Sequence, residues 1–478
     1  MRARPTLTAY GLIRPPPSTT ATSLICNQCL LHRPSSPYLS LSLLPLPRLP
    51  HASRIYHPTR RKNHSTLSSA VSAAQNLFTA KPPPPPPNNN NVTIDPLRLV
   101  AHELKFLKNN IRQLLGSGHP LLDRVAKYYA ASEGKQVRPL LVLLMSQATA
   151  LAPKAPRDVP FMSNTGAAAS INEAISSPAI LADTNPDASP LTSSAAEASY
   201  ALEGSGSEEG GMTVLPAQRR LAEITELIHT ASLLHDDVID NAITRRSAVS
   251  ANLEFGNKMA VLAGDFLLGR ASVALARLRD PEVIELLATV IANLVEGEFM
   301  QLKNTATDEK NPVWTEDTIS YYLQKTYLKS ASLISKSCRG AALLGHSAPE
   351  VVESAYAYGR NLGLAFQLVD DMLDYTVSGE ELGKPAGADL ELGLATAPLL
   401  FAWKEFPELG RLVGRRFGRE GDVALARQIV SQSSGLEQTR ALAQEYADKA
   451  VASLAGLPDS DAKAGLVEMC TKTMRRRK

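Results

Sequence analysis

The chain has 478 residues, with 50 Lys and Arg against 47 Asp and Glu and a formal net charge of +3, so it has no bulk positive charge with which to hold nucleic acid. Aromatics make up only 5%, and there are 28 Gly and 33 Pro, which excludes an aromatic-rich β-sandwich, a collagen and a wholly disordered chain. The four cysteines, at 26, 29, 338 and 470, form no disulfide framework, and no uninterrupted run of 18 apolar residues marks a transmembrane helix.

Residues 1–94 hold ten Lys and Arg, 16 of the 33 prolines and no acid at all; Asp95 is the first. Removing those ten charges from the overall +3 leaves −7 for residues 95–478, so two compositionally different pieces are joined. An acid-free, Arg- and Ser-rich leader is drawn inward by an organelle's membrane potential and need not fold. Residues 1–80 therefore read as a mitochondrial transit peptide, the plainer alternative being a disordered basic tail. The expected location is the mitochondrion, in the matrix or on the matrix face of the inner membrane. Cys26 and Cys29 form a lone CxxC without further ligands and are assigned no metal. Prolines 82–87 followed by asparagines 88–91 cannot pack and mark a linker over 81–94.

From Asp95 the pattern turns helical. Leu97, Val100, Leu104 and Leu107 recur every three to four residues, and Leu221, Ile224, Leu227, Ile228, Ala231 and Leu234 do the same. Strand-like alternation is absent, so the class is all-α. Residues 151–213 break the periodicity with Pro, Ser, Ala, Asn and Gly clusters and read as a disordered insertion in a surface loop of the domain spanning 95–478.

The chemistry lies in two copies of one acidic pattern, Asp236-Asp237-Val-Ile-Asp240 and Asp370-Asp371-Met-Leu-Asp374. On a helix the first and last acid of each copy share a face one turn apart. One copy alone would read as a solvated helix face. Here both are embedded in apolar helix, after Leu233-Leu234 and among Leu364, Phe366, Leu368 and Val369. Inward carboxylates must be paired, protonated or bound to metal. Hard oxygen donors on two helices suit Mg²⁺, which keeps several waters and bridges to phosphate, so the substrate is expected to be a diphosphate.

Basic residues stand near both motifs: Lys135 and Arg138 in GKQVRP, Arg245-Arg246, Lys325-Thr326 and Lys384. Any one is an ordinary surface charge, but together they suit phosphate oxygens, which Arg grips bidentately. His229 lies seven residues before Asp236 and returns to its face, though a lone core histidine would look the same.

On these residues the chain resembles the trans-prenyl diphosphate synthases, specifically the long-chain polyprenyl diphosphate synthases (hexaprenyl, solanesyl, decaprenyl type) of mitochondrial ubiquinone biosynthesis. The matching stretches are GKQVRP from 134, IHTASLLHDDVIDNAITRR ending at Arg246, KT at 325, FQLVDDMLDY from Phe366 and GKPAGADLELGLATAPLLFA from Gly383. The resemblance implies an isoprenoid-synthase helical bundle around a central cavity, with two facing aspartate-rich helices. It implies Asp236, Asp240 and Asp370 as principal ligands of about three Mg²⁺ ions, supported by Asp237, Asp371 and Asp374. It places Lys135, Arg138, His229 and Arg246 on isopentenyl diphosphate, and Arg245, Lys325, Thr326, Gln367 and Lys384 on the allylic diphosphate; Lys325 and Gln367 join the three principal aspartates as catalytic residues. Small residues at Ala231 and Ser232, one turn before the first motif, imply a long product of about C30 or more. The family also implies a homodimer or heteromer, peripheral contact with the inner membrane and no nucleic acid. Departures are Ser247, where the family usually has Gly, and the long insertion. The alternatives are a geranylgeranyl diphosphate synthase, a class I terpene cyclase, which pairs one such motif with a different second site, and a non-catalytic subunit of a heteromeric synthase. The basic run 475–478 reads as a solvated tail rather than a strap over the diphosphates.

Overall fold

Apolar residues at helical spacing fold the first part of the described chain into α1 (Ala101–Leu114), α2 (Pro120–Ala131) and α3 (Val137–Ala150). The computed structural model describes residues 95–117, 119–131, 136–157, 214–245, 248–304, 312–376 and 387–476. The expected leader and linker, with Cys26 and Cys29, and most of the expected insertion lie outside the described residues. The helix α4 (Pro216–Ile239) follows, and Leu221, Ile224, Leu227, Ile228, Ala231 and Leu234 are all buried along it. It starts on Pro216, whose missing N–H is no loss in a first turn, while the Gln218 side chain accepts the Leu215 N–H at 3.0 Å. It stops just after the first acidic motif, where Asn241 takes a left-handed backbone with φ 50°.

The bundle continues with α5 (Asn257–Arg277), α6 (Pro281–Asn304), α7 (Glu316–Thr326), a π-helical turn at Tyr327–Ala331, α8 (Ser332–Leu344) and α9 (Pro349–Thr376). It closes with α10 (Ala397–Glu405), α11 (Asp422–Gln432), α12 (Gly435–Ser453) and α13 (Asp461–Met474). Among the described residues the only sheet is a ladder of two-residue strands, Thr244–Arg245 against Ala248–Val249, so the all-α expectation holds. The first apolar stripe holds in part. Val100 and Leu107 are buried, but the chain breaks at Val100 between a short turn and α1, which leaves Leu97 exposed.

α3 is central and packs against α4, α8 and α13, α4 against α5, and α9 against α8 and α12. One hydrophobic core fills the space around α3, α4, α5 and α8; a second lies around the C-terminal half of α9, α10 and α11. Gly359 and Gly363 let α9 approach closely: a Cβ at either would stand 2.7 Å from the Cα of Ser335 or Ala331. The next member of the same four-residue series, Gln367, meets the π-turn through Ser330. By length and composition α5 is apolar enough to cross a bilayer, despite the absence of an uninterrupted apolar run. Ala260, Ala263, Leu267, Ala271 and Ala274 bury one side of it in the bundle. Cys338 and Cys470 are free and buried.

Two expectations need correction. Residues 151–157, assigned to the insertion, belong to the packed body: Ala152 is buried, and Lys154 Nζ donates to the carbonyls of Thr149 and Gly345 at 2.8 and 2.9 Å. Arg157 forks onto buried Asp280 at 2.6 and 3.1 Å. An Ala- and Pro-rich stretch has no helical period, and these anchors are irregular backbone held by two cations. The C-terminal tail is also docked rather than solvated as far as it is described, since Arg476 donates to Asp370 at 2.5 Å and lies over the Phe366 ring.

Candidate active site

The end of α4 presents Asp236 and Asp240 on one side and Asp237 on another, as a 100° step requires. Asp236 and Asp240 keep partial exposure, whereas Asp237 has none. One Asp237 oxygen accepts from Arg245 Nε at 2.8 Å, and the other accepts from the Tyr129 hydroxyl of α2. Arg245, expected on the allylic diphosphate, is thus held against Asp237. Burial works against its charge, but Asp237 keeps its guanidinium above the usual range.

Burial pushes the Asp236 carboxyl up to about 6, with Glu298 and Asp240 adding to the rise and Lys329 opposing it. Burial raises Asp240 as well, against the pull of Lys329. Glu298 stands on α6 and pairs with Lys329 of the π-turn at 2.5 Å. Three carboxylates thus gather around one lysine. Upstream on α4, Arg138 donates to His229 Nε2 at 2.9 Å, so a neutral His229 carries its proton on Nδ1. Two residues expected on isopentenyl diphosphate are thereby brought together. Gln136, which enters α3 beside Arg138, holds a left-handed backbone with φ 43°.

The second motif divides likewise at its first two acids but not at its fifth. Asp370 is partly exposed, while Asp371 and Asp374 are buried. Asp371 accepts from the Tyr322 hydroxyl of α7 at 2.5 Å and from Gln367 Nε2 at 2.9 Å. Asp374 accepts the Asp389 N–H at 3.3 Å. Burial raises the Asp371 carboxyl, with Tyr322, Gln367 and Lys325 opposing. Ser330 donates to Gln367 at 2.7 Å, tying the π-turn to this motif.

The structure separates the two lysines of the segment KTYLKS. Lys325 is 7% exposed, stacks over the Tyr322 ring and interacts electrostatically with Asp371; burial lowers its ammonium below the usual range. Thr326 beside it is buried too. Lys329, paired with Glu298, and Arg245 are the cations whose charge acts on Asp236 and Asp240. Lys329, Ser330, Glu298 and Asp389 were not singled out from the sequence. Lys329 and Lys325 lie four residues apart, one face on an α-helix, and only the π-turn tells them apart. Lys135, Arg246 and Lys384 lie outside the described residues. Of the two expected chain-length residues, Ala231 has no exposure and packs in the core. Ser232 keeps part of its surface and donates to the His229 carbonyl at 2.9 Å.

Among the described residues no three His, Cys, Asp or Glu side chains form a ready-made metal centre. The donor set nevertheless fits Mg²⁺, which uses one or two carboxylates plus water and phosphate oxygens rather than an all-protein cage. Asp236 and Asp240, raised by burial and by nearby carboxylates, are acids that a divalent ion would stabilise in charged form.

The model of the family described as polyprenyl synthetase matches residues 198–430. The chain is 64% identical over 441 residues to "Probable hexaprenyl pyrophosphate synthase, mitochondrial" of Neurospora crassa, covering 92% of this chain and 94% of that protein. It is 45% identical to "Hexaprenyl pyrophosphate synthase, mitochondrial" of Saccharomyces cerevisiae, covering 90% and 98%. Among solved structures it resembles a polyprenyl synthase from Caulobacter crescentus complexed with calcium and isoprenyl diphosphate, with TM-score 0.62, 28% identity, and 82% and 100% of the two chains covered.

Proposed function

The chain belongs to the polyprenyl synthetase family, and on that premise we propose that it condenses isopentenyl diphosphate head-to-tail with an allylic diphosphate to build a long all-trans polyprenyl diphosphate of about C30 or more. The hexaprenyl names of its relatives and the retention of all six motif acids favour this over a geranylgeranyl synthase or a non-catalytic subunit. The mitochondrial names of those relatives agree with the acid-free leader, so the enzyme is mitochondrial, and its product serves the ubiquinone side chain.

The observation that carries the reading is the pair of aspartate-rich helix ends joined through neighbouring cations: Lys329 toward Asp236 and Asp240, Lys325 toward Asp371. Asp236, Asp240 and Asp370 would hold Mg²⁺, which when bound neutralises the departing pyrophosphate and so lowers the barrier to breaking the allylic C–O bond. Lys329 adds a fixed positive charge where pyrophosphate charge grows. Arg138 and His229 hold the second diphosphate, together with Lys135 and Arg246. The Ser330–Gln367 pair presents oxygen dipoles to an allylic cation without supplying a nucleophile. The π-electrons of isopentenyl diphosphate attack that cation, and loss of a proton to the released pyrophosphate restores an allylic chain five carbons longer. The apolar helix faces keep water from quenching the cation.

Assembly with a second subunit and peripheral membrane contact fit the exposed apolar residues Val295, Phe299 and Leu302 on α6 and Val261 and Leu262 on α5. The test is consumption of isopentenyl diphosphate by the purified chain with an allylic primer. Turnover is expected with Mg²⁺ and none with excess EDTA; equal turnover in both would refute metal-assisted ionisation.

A further inference from the structure

The two aspartate motifs treat their second carboxylate alike, although they stand on different helices with different neighbours. In the first motif Asp237 has no exposed surface: one oxygen takes the Tyr129 hydroxyl and the other takes Arg245 Nε at 2.8 Å. In the second, Asp371 is 2% exposed: one oxygen takes the Tyr322 hydroxyl at 2.5 Å and the other takes Gln367 Nε2 at 2.9 Å. Each time a tyrosine from an adjoining helix fills the inner oxygen, and the outer oxygen orients a side chain of the diphosphate site.

Both tyrosines are themselves fixed. The Ala251 N–H donates to the Tyr129 oxygen at 2.8 Å, which ties α2 to the chain just past the Arg245 strand pair. Tyr322 is enclosed in the second core. Burial and the adjacent carboxylate hold both phenols above their usual range, so at neutral pH each can only donate its proton to the carboxylate. Both donors come from buried tyrosines, whereas Asp236 and Asp240 retain accessible surface and Asp370 keeps part of its own beside Arg476 of the C-terminal tail.

We propose that Tyr129 and Tyr322 are positioning residues for the condensation, each locking the second aspartate of its motif into a bracket that aims Arg245 or Gln367 at substrate. This deepens the function proposed above and rests on it.

The test compares Tyr129→Phe and Tyr322→Phe with Asp236→Asn, using the full chain. Steady-state kinetics give KM and kcat, and calorimetry follows binding of inorganic pyrophosphate and of Mg²⁺ at saturating pyrophosphate. Loss of a hydrogen bond to a charged group predicts a rise of about tenfold or more in the KM of the allylic substrate for Tyr129→Phe, and a comparable fall in kcat for Tyr322→Phe. Pyrophosphate should bind Tyr129→Phe correspondingly more weakly, with Mg²⁺ half-saturation unchanged in both tyrosine variants and lost in Asp236→Asn. Adding Asp237→Asn to Tyr129→Phe should cost little more than either change alone, because both break one bracket. Wild-type constants in both tyrosine variants, a Mg²⁺ shift equal to that of Asp236→Asn, or melting of both below the assay temperature would overturn the proposal. If the wild type binds Mg²⁺ and pyrophosphate but never elongates a primer, the synthase reading fails, and the calorimetric comparison still decides the bracket.

Discussion

Lys329→Ala should cut kcat by about a hundredfold with the fold intact, because it removes a fixed cation from beside Asp236 and Asp240. Lys325→Ala should act mainly through stability, because that side chain is buried over Tyr322. Kinetics paired with thermal melts check this, and the reverse pattern would return the catalytic role to Lys325. Asp236 also makes a pH prediction. Its carboxyl is raised from 3.8 to about 6, so the folded state holds a proton that the unfolded chain gives up. Metal-free protein should therefore be more stable below about pH 4 and lose on the order of 1–3 kcal/mol as pH rises through about 6, the lower end applying if solvent screens the site. Denaturant midpoints measured in EDTA should show this slope, and Asp236→Asn should flatten it. Both acidic motifs were legible in the sequence because i and i+4 acids set in apolar helix are a pattern of period and composition. Which acid of each pair turns inward was not, because that choice belongs to Tyr129 and Tyr322, 107 and 48 residues before their partners' motifs begin.

At the scale of the element, the helices of the bundle follow from apolar period, the Pro216 start and the Asn241 stop, all local signals. The π-turn at Tyr327–Ala331 has no such signal; it answers to the close packing of Gly363 on α9 and Gly297 on α6 against it. Gly363→Val should lower stability by about 1–3 kcal/mol and reduce turnover further by parting Ser330 from Gln367. Urea midpoints and kcat measure both, and unchanged values would show that the approach is not needed. The insertion boundary was misplaced by seven residues because Lys154 and Arg157 are anchored by contacts, not by period. Replacing 158–213 with a short Gly/Ser bridge should therefore preserve folding and catalysis. Extending the deletion to 151 should lower the melting temperature, since buried Asp280 loses its guanidinium.

At the scale of the whole molecule, charge asymmetry set residues 1–94 apart from the rest, and two aspartate motifs with the basic stretches marked the family to which a relative 64% identical also belongs. Under the proposed mechanism, product length is set by the space a growing tail finds beside α4. Of the two small residues there, Ser232 retains surface and Ala231 does not, so Ser232→Phe is the substitution expected to shorten the product. The most direct test of the account is the end product made by the purified chain alone from farnesyl diphosphate, labelled isopentenyl diphosphate and Mg²⁺. An all-trans diphosphate of about C30 or longer is predicted; an end product that stops at geranylgeranyl diphosphate would contradict it.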